Sequence, residues 1–536
     1  MIKKYLLYIV SILLLISSGL YFVLNSTTKI NNHLGWDELN YETLSRKGIA
    51  YNAFEKNSLN FIEFYKIGKA RADKDTVLNS QLVKEFNYPD ENENPFYLRH
   101  YHPPLANYYW SLFINENDVV KNDKNLRLSN IILGIIAIIV ICIALLIARS
   151  LNANSLLIAF ILSAFLMIST IFNYSFETLN FHTIQFVCSL IFIGCLMKWF
   201  NNPTKKSAFI LGVSVALMFV ALETALFVVT GAILGIILMK KIKQLLKSLL
   251  VIFLAFVLGM LALWPGVIKT LAPVKTWIMH FARIFLKGND EYAGISMGQA
   301  WLNIFKDNVL LFSILLILTI VLTVISRKQA TSKSYKLPYI VAFFYLLTIT
   351  PFILNKTYIF PVIGLLIFSI IYHFNQLKNI HVSSKIKYVF GGLMIVLVVC
   401  LVMVFSDLDY KNKLSENKKY RIAFNQELTI LKYKLSNKKN IIAFNGQLLR
   451  YYLNKPDIED MRKNTMANPG YFVRREGLYV DKLPEIKNQK IGAIVIPKEN
   501  MEYYPDERTK IVEEYGYKKI DLNYFRIFLS PKNNGY

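Results

Sequence analysis

Residues 205–241 read KKSAFILGVSVALMFVALETALFVVTGAILGIILMKK, an apolar stretch with a lysine pair at each border and Glu223-Thr224 near its centre. From Ala208 to Met239 it runs for about 32 residues, whereas one crossing of a bilayer core takes roughly 20. One helix of that length is too long and two are short. The charges decide. Lys198, Lys205 and Lys206 precede the stretch, and Lys240, Lys241, Lys243 and Lys247 follow it. Lys and Arg beside helix ends mark the cytoplasmic side, so both borders belong inside and the chain crosses twice. The sequence predicts a hairpin with Glu223 at its outer turn.

Nine further apolar runs flank the hairpin: Tyr5–Leu24, Ile131–Ile147, Leu156–Phe172, Phe181–Met197, Leu249–Pro265, Val309–Ile325, Leu337–Leu354, Tyr358–Tyr372 and Tyr388–Phe405. The expected fold class is an α-helical polytopic membrane protein of about eleven transmembrane helices, amino terminus cytoplasmic and carboxyl terminus outside. The inner segments are the amino terminus, Arg149–Ser155, Lys198–Ser207, Lys240–Lys247, Arg327–Lys336 and Lys378–Lys387; they hold about 17 Lys or Arg and no Asp or Glu, the bias the orientation rule describes. Met1-Ile-Lys-Lys and the run after it resemble a secretory signal, but the run is long and no A-x-A site follows, which favours an uncleaved anchor.

Composition agrees. The 536 residues are 54% hydrophobic and 18% charged, against about 25% charge in a typical soluble domain. A soluble enzyme is thereby disfavoured, and 14% aromatic content excludes disorder. A formal charge of +25 often signals nucleic-acid binding, but here much of the excess sits in the inner segments, so no nucleic-acid partner is needed. Cys142, Cys188, Cys195 and Cys400 all lie in apolar runs, leaving neither a disulfide framework nor CxxC metal spacing.

The expected organisation is a transmembrane domain over residues 1–405 and a soluble extracytoplasmic α/β domain over 406–536. The first carries a large outer loop (25–129) and a second one (266–308), whose stretch Trp277–Phe285 is amphipathic enough to lie in the interface. In the tail, Asn440–Phe444, Gly492–Pro497, Lys518–Leu522 and Tyr524–Leu529 read as strands, and Gly446–Leu453 and Asp506–Tyr515 as helices.

The first outer loop opens with Gly35-Trp36-Asp37-Glu38 and closes with Tyr97-Leu98-Arg99-His100-Tyr101-His102-Pro103-Pro104-Leu105. Read without function, Asp37 caps a short surface helix, Glu38 faces water, and the double proline separates two elements. Read chemically, a carboxylate at the outer membrane boundary beside aromatic rings gains proton affinity by partial desolvation and suits general-base work. Arg99, His100 and His102 are placed to neutralise an anion.

Together with Lys356-Thr357-Tyr358-Ile359-Phe360-Pro361 at a late helix start, these elements resemble the protein O-mannosyltransferase and aminoarabinose-transferase branch of the GT-C glycosyltransferases. That family has an acidic pair in the first outer loop, an HPP-type element closing the loop, and a late K-x-x-Y-x-x-P-like segment. The resemblance implies transfer of a sugar from a polyprenyl-phosphate carrier to a protein, glycan or lipid acceptor, on the outer face of the cytoplasmic membrane. It further implies that Asp37 is the base and Glu38 its supporting neighbour. His102, Pro103 and Pro104 would shape the site floor, and Lys356 and Tyr358 would contact the donor phosphate. Relatives often carry an acid at or just before the histidine, whereas here Tyr101 and Arg99 flank it. That shifts the balance from a metal site towards anion binding; no cofactor is assigned, and a divalent ion is left open.

Cleaving a sugar–phosphate bond puts negative charge on the departing phosphate, so fixed cations in a poorly hydrated site stabilise the transition state. Lys356 and Arg99 are candidates; Lys269, Lys275, Arg283 and Lys287 read more simply as solvated or snorkelling charges. Glu177 and Glu223, at outer helix ends, are further candidates because ionisable groups at membrane depth are costly; the plainer reading pairs each with a lysine. His182 and His280 read as interfacial packing residues. The rival to an enzyme is a lipid or oligosaccharide flippase or transporter, which normally needs broken helices and polar groups at the midplane. A silent envelope-assembly scaffold is a third reading.

Overall fold

A computed structural model of the chain describes residues 2–56, 58–73, 75–86, 102–114, 119–271, 273–274, 296–329, 333–353, 355–377, 384–443, 446–455, 458–460, 483–498 and 512–531. The chain starts with α1 (Ile2–Thr28), followed in the first loop by α2 (Trp36–Arg46), α3 (Gly48–Ala53), α4 (Phe61–Ala72), α5 (Thr76–Glu85) and α6 (Leu105–Ser111). The bundle continues with α7 (Val119–Ile147), α8 (Ala153–Ile168), α9 (Thr170–Glu177), α10 (Phe181–Asn201), α11 (Lys205–Ala221), α12 (Ala225–Leu238) and α13 (Ile242–Leu263). After α14 (Val267–Thr270) come α15 (Met297–Gln329), α16 (Lys336–Ile349), α17 (Phe360–Asn375) and α18 (Ser384–Ser406).

Among the described residues, 7 helices are long and apolar enough to cross a membrane, and up to 9 if each of two bent pairs counts as one span. The pairs are α8 with α9, bent by 65°, and the end of α18 with the helix that follows it. The expected eleven segments differ from these nine by α11 and α12, which have 17 and 14 residues. Their apolar stretch does break at Glu223. Leu222 leaves helical backbone (φ −163°, ψ 146°) and Thr224 caps α12.

The contacts show that α11 and α12 run in opposite directions. A Cβ on Gly212 would meet Ile252 and Ala255, while one on Gly259 would meet Ala216 and Val213, so α11 and α13 lie parallel. Because α12 joins them, α11 and α13 can lie parallel side by side only if α12 returns. In α12, Gly231 meets Phe344 and Gly235 meets Leu337, so α12 and α16 are antiparallel. The segments thus alternate between two ends. At one end Asn152 and Ser150 meet Asn375, and Asn201 meets Tyr372. The other end gathers the first loop, the α9–α10 turn, Glu223, Gly266 and the turn before α17. Exposed Leu, Ile, Val and Phe on α1, α13, α15 and α18 clothe the outside of the bundle, the surface that lipid requires.

Beyond α18, α19 (Tyr410–Leu435) leads into strands β1 (Ile441–Ala443), β2 (Glu459–Asp460), β3 (Ala493–Pro497), β4 (Lys518–Asp521) and β5 (Phe525–Leu529), with α20 (Gly446–Leu453) and α21 (Leu483–Lys487) between them. The sheet order is β2-β1-β3-β5-β4, with β1 parallel to β2 and β3, and β5 antiparallel to β3 and β4. Strands were expected at four of these places and a helix at Gly446–Leu453; most of the expected helix Asp506–Tyr515 lies outside the described residues. The side-chain period of two splits the strands between two cores. Ile442, Ile494, Ile496 and Phe528 pack with Ile486, Val512 and Tyr517. Ile441, Ala443, Val495 and Ile527 join Phe424, Leu428 and Leu431 of α19 in a core continuous with the bundle.

Candidate active site

Trp36-Asp37-Glu38 forms the first turn of α2. The cap is Gly35, in extended backbone (φ −71°, ψ 174°), and Asp37 takes the second helical position. The plain reading of Asp37 as the cap is therefore corrected: glycine fills that position, because the Glu38 carboxylate reaches back to accept the Gly35 N–H at 2.6 Å. This is half of a capping box; a glycine cap has no side chain to supply the other half. The side chains of Trp36 and Asp37 lie outside the described residues.

Nor does Glu38 face water. It is 6% exposed and holds four donors. Arg127 of α7 gives both terminal nitrogens, Nη1 to Oε1 at 2.5 Å and Nη2 to Oε2 at 2.8 Å, the fork that suits a carboxylate. The Leu179 N–H gives a third bond at 2.8 Å and Gly35 the fourth. Arg127 also donates to the His33 and Glu177 carbonyls. One ion pair thereby ties the start of α2 to α7, to the α9–α10 turn and to the chain leaving α1. An ion pair this buried is costly to break, and it fixes the backbone beside Asp37.

The rest of α2 continues that polar stripe at intervals of four. Glu42 accepts from Arg46 at 2.6 Å and from Asn122 at 3.1 Å. Burial raises the Glu42 carboxyl above its ordinary range despite Arg46. Tyr41, one turn after Asp37, faces elsewhere: its ring lies edge-on to Phe181 at 4.7 Å and stacks with Trp110 at 5.7 Å.

Phe181 and His182, the first residues of α10, join the three motifs. The HPP histidine, His102, lies against Phe181 with ring centres 4.6 Å apart, and its Nδ1 is 3.2 Å from Glu223 Oε2. Pro103 and Pro104 are buried beside it, and Pro104 caps α6. His182 meets Tyr358 of the Lys356-Thr357-Tyr358 turn at 4.5 Å. Lys356 is ion-paired with Asp307 at 3.0 Å and stands over the Tyr174 ring at 4.6 Å; a cation over an aromatic face is attracted by its quadrupole. Asp307 is presented by a break in α15, where Asn308 leaves helical backbone (φ −135°, ψ 24°) and its side chain accepts the Ile171 N–H. Glu177 is paired with Lys29, as its plain reading required, and Glu223 is 3% exposed.

Arg99, His100, Tyr101, Lys275, Arg283, Lys287, His280 and the stretch Trp277–Phe285 lie outside the described residues, and Lys269 is exposed. Among the described residues, no three His, Cys, Asp or Glu side chains gather in a way that holds a metal ion. Sequence reasoning missed Arg127, Asp123, Asp307 and the hub at Phe181. The pattern Asp123–Arg127, four apart ahead of an apolar run, was a usable signal that α7 begins before Ile131.

No family model matches the sequence, and it has no significant match among curated proteins. Its fold is similar to that of ArnT from Cupriavidus metallidurans. With the apo crystal structure the TM-score is 0.57 at 12% identity, over 97% of each chain. With the structure of ArnT bound to undecaprenyl phosphate it is 0.53 at 12% identity, over 97% of this chain and 98% of that one. An oligosaccharyltransferase of Archaeoglobus fulgidus, tethered with an acceptor peptide, gives 0.45 at 10% identity, over 81% of this chain and 66% of its own. The likeness is one of fold, which in this chain is a multi-pass helical bundle with a small sheet beyond α18.

Proposed function

We propose that the protein is a membrane glycosyltransferase moving a sugar from a polyprenyl-phosphate carrier to an acceptor hydroxyl or amine on the outer face of the cytoplasmic membrane. The observation that carries this reading is the convergence of α2, through Tyr41 one turn after Asp37, the HPP histidine and the KTY turn on the first turn of α10, in a fold similar to that of a protein solved with undecaprenyl phosphate. The basic end of the bundle supports a cytoplasmic placing for Arg149, Lys198, Lys205, Lys240 and Lys336, which leaves the site outside.

Asp37 takes the proton of the acceptor nucleophile as its oxygen or nitrogen bonds to the anomeric carbon. The carbon–oxygen bond to phosphate breaks, and polyprenyl phosphate departs with the electron pair, inverting the anomeric centre. Lys356 steadies that phosphate, exchanging part of its Asp307 contact for the donor, and Tyr358 lines the same turn. His102, Pro103 and Pro104 form the floor. Glu38, saturated by four donors, serves by holding the α2 backbone. Burying the isoprenoid between helices supplies apolar contact that keeps the phosphate at the height of α2. The flippase reading gains little, because the buried charges found here gather at one end of the bundle rather than at its middle. The test is Asp37→Asn, assayed with radiolabelled polyprenyl-phosphate sugars and envelope fractions. Transfer falls by at least about 10²-fold, the lower range for a general base, with expression intact; undiminished transfer removes Asp37 from the mechanism.

A further inference from the structure

The tail is wired into the first turn of α2. Arg421, on α19, is 7% exposed and places Nη2 2.7 Å from Asp123 Oδ2. That same oxygen accepts the Tyr452 hydroxyl of α20 at 2.8 Å. Asp123 is 1% exposed and stands one helical turn from Arg127 on α7, so the two share a face. Arg127 grips Glu38, and Glu38 grips the Gly35 and Leu179 amides. A second strand of contacts runs beside the first. The Leu34 N–H donates to the Tyr452 oxygen at 3.0 Å, the His33 ring stacks on Phe424 at 4.8 Å, and Asn417 donates to the Thr28 carbonyl at 2.6 Å.

We infer that Arg421, through Asp123, is a positioning residue for the Asp37 turn, so that docking of the segment beyond α18 sets the geometry of the candidate base. Two observations distinguish this from general tail packing. Besides the Arg46–Tyr451 contact further along α2, the contacts fall on residues 28–34, the chain that enters α2, and on Asp123, one turn from Arg127. In addition, the contacts at Asp123 and Leu34 are made by a buried charge and a hydroxyl, which are directional and costly to misplace, whereas apolar packing tolerates small slips. Removing the Arg421 charge leaves Asp123 buried beside Arg127, and Arg127 then divides its donors between Asp123 and Glu38. The start of α2 loosens as a result. The role assigned to Asp37 rests on the proposed function; the wiring itself does not.

The experiment measures hydrogen exchange and transfer on the full-length protein in detergent, comparing wild type with Arg421→Gln, Arg421→Lys and Tyr452→Phe. In Arg421→Gln, amide exchange across residues 35–40 rises at least about tenfold, while amides of β3 and β5 keep their wild-type protection. Transfer falls mainly in kcat with donor KM little changed, since the base is misplaced but the donor contacts are not. Arg421→Lys restores part of both effects. If Arg421→Gln does not fold, Tyr452→Phe, which deletes one hydroxyl, shows the same pattern more weakly. Unchanged exchange at residues 35–40, or a rise confined to α19 and the sheet, overturns the inference. If no variant, wild type included, transfers sugar while the exchange pattern holds, the wiring stands and the proposed reaction falls.

Discussion

At the residue scale, the Glu38–Arg127 pair is the most constrained feature of the site, and its burial fixes the sign of its mutants. Arg127→Met leaves a buried carboxylate unpaired and costs about 3–5 kcal/mol; thermal unfolding in detergent reads this as a marked fall in Tm, and an unchanged Tm would mean that the pair faces water. His33 supplies a pH dependence. Burial, aided by Arg421 and Arg127, lowers its pKa from 6.5 to about 4. Between those values the unfolded chain binds a proton that the folded chain refuses, so this contribution to stability is complete above about pH 6.5 and drains away as pH falls towards 4. A His33→Phe variant, which keeps a ring against Phe424, should lose less stability than wild type over that window in Tm measured against pH. Legibility at this scale was uneven. The three motifs stood out as unusual polar clusters in an apolar chain, but Glu38 and Asp37 looked alike, because nothing in the triplet says which carboxylate meets an arginine about 90 residues away.

At the element scale, the helices were legible where hydropathy and charge agree. The break at Glu223 and the return of α12 follow from lysines at both borders, because a charge bias fixes direction even where length is ambiguous. Two features escaped that reasoning. The bend between α8 and α9 arises at Ser169, whose extended backbone and side-chain cap on Phe172 end one helix and begin the next inside an unbroken apolar run. The helix α19 has mixed polarity with buried Arg421 and Glu427, and its place depends on partners far away in the chain. The α11–α13 crossing gives a sharp test. A Cβ on Gly212 would sit 2.3 Å from the Ile252 carbonyl oxygen, a backbone atom that cannot swing aside. Gly212→Ala is therefore expected to overpack the crossing by about 1–3 kcal/mol, lowering Tm, whereas Gly298→Ala, where a Cβ meets nothing within 4 Å, leaves Tm near wild type.

At the scale of the whole molecule, the fold makes a device with two unlike ends. One carries lysines and short turns, and the other carries the loops, the buried charge network and the sheet. Cysteines placed at Lys269 and at Lys241 should react oppositely with a membrane-impermeant maleimide on intact cells, the first labelled and the second protected; labelling at Lys241 would invert the orientation. The tail was legible as strands and helices, but its continuity with the bundle core was not, since an apolar residue in a strand does not announce which of two faces it will cover. The central claim is that this bundle transfers sugar with Asp37 as base, and the most direct measurement incubates purified wild type and Asp37→Asn with radiolabelled polyprenyl-phosphate sugars and envelope fractions. The expected result is label passing to an envelope acceptor with wild type and falling by at least about 10²-fold with the variant; equal labelling by both, or label that crosses the membrane without changing its carrier, would contradict it.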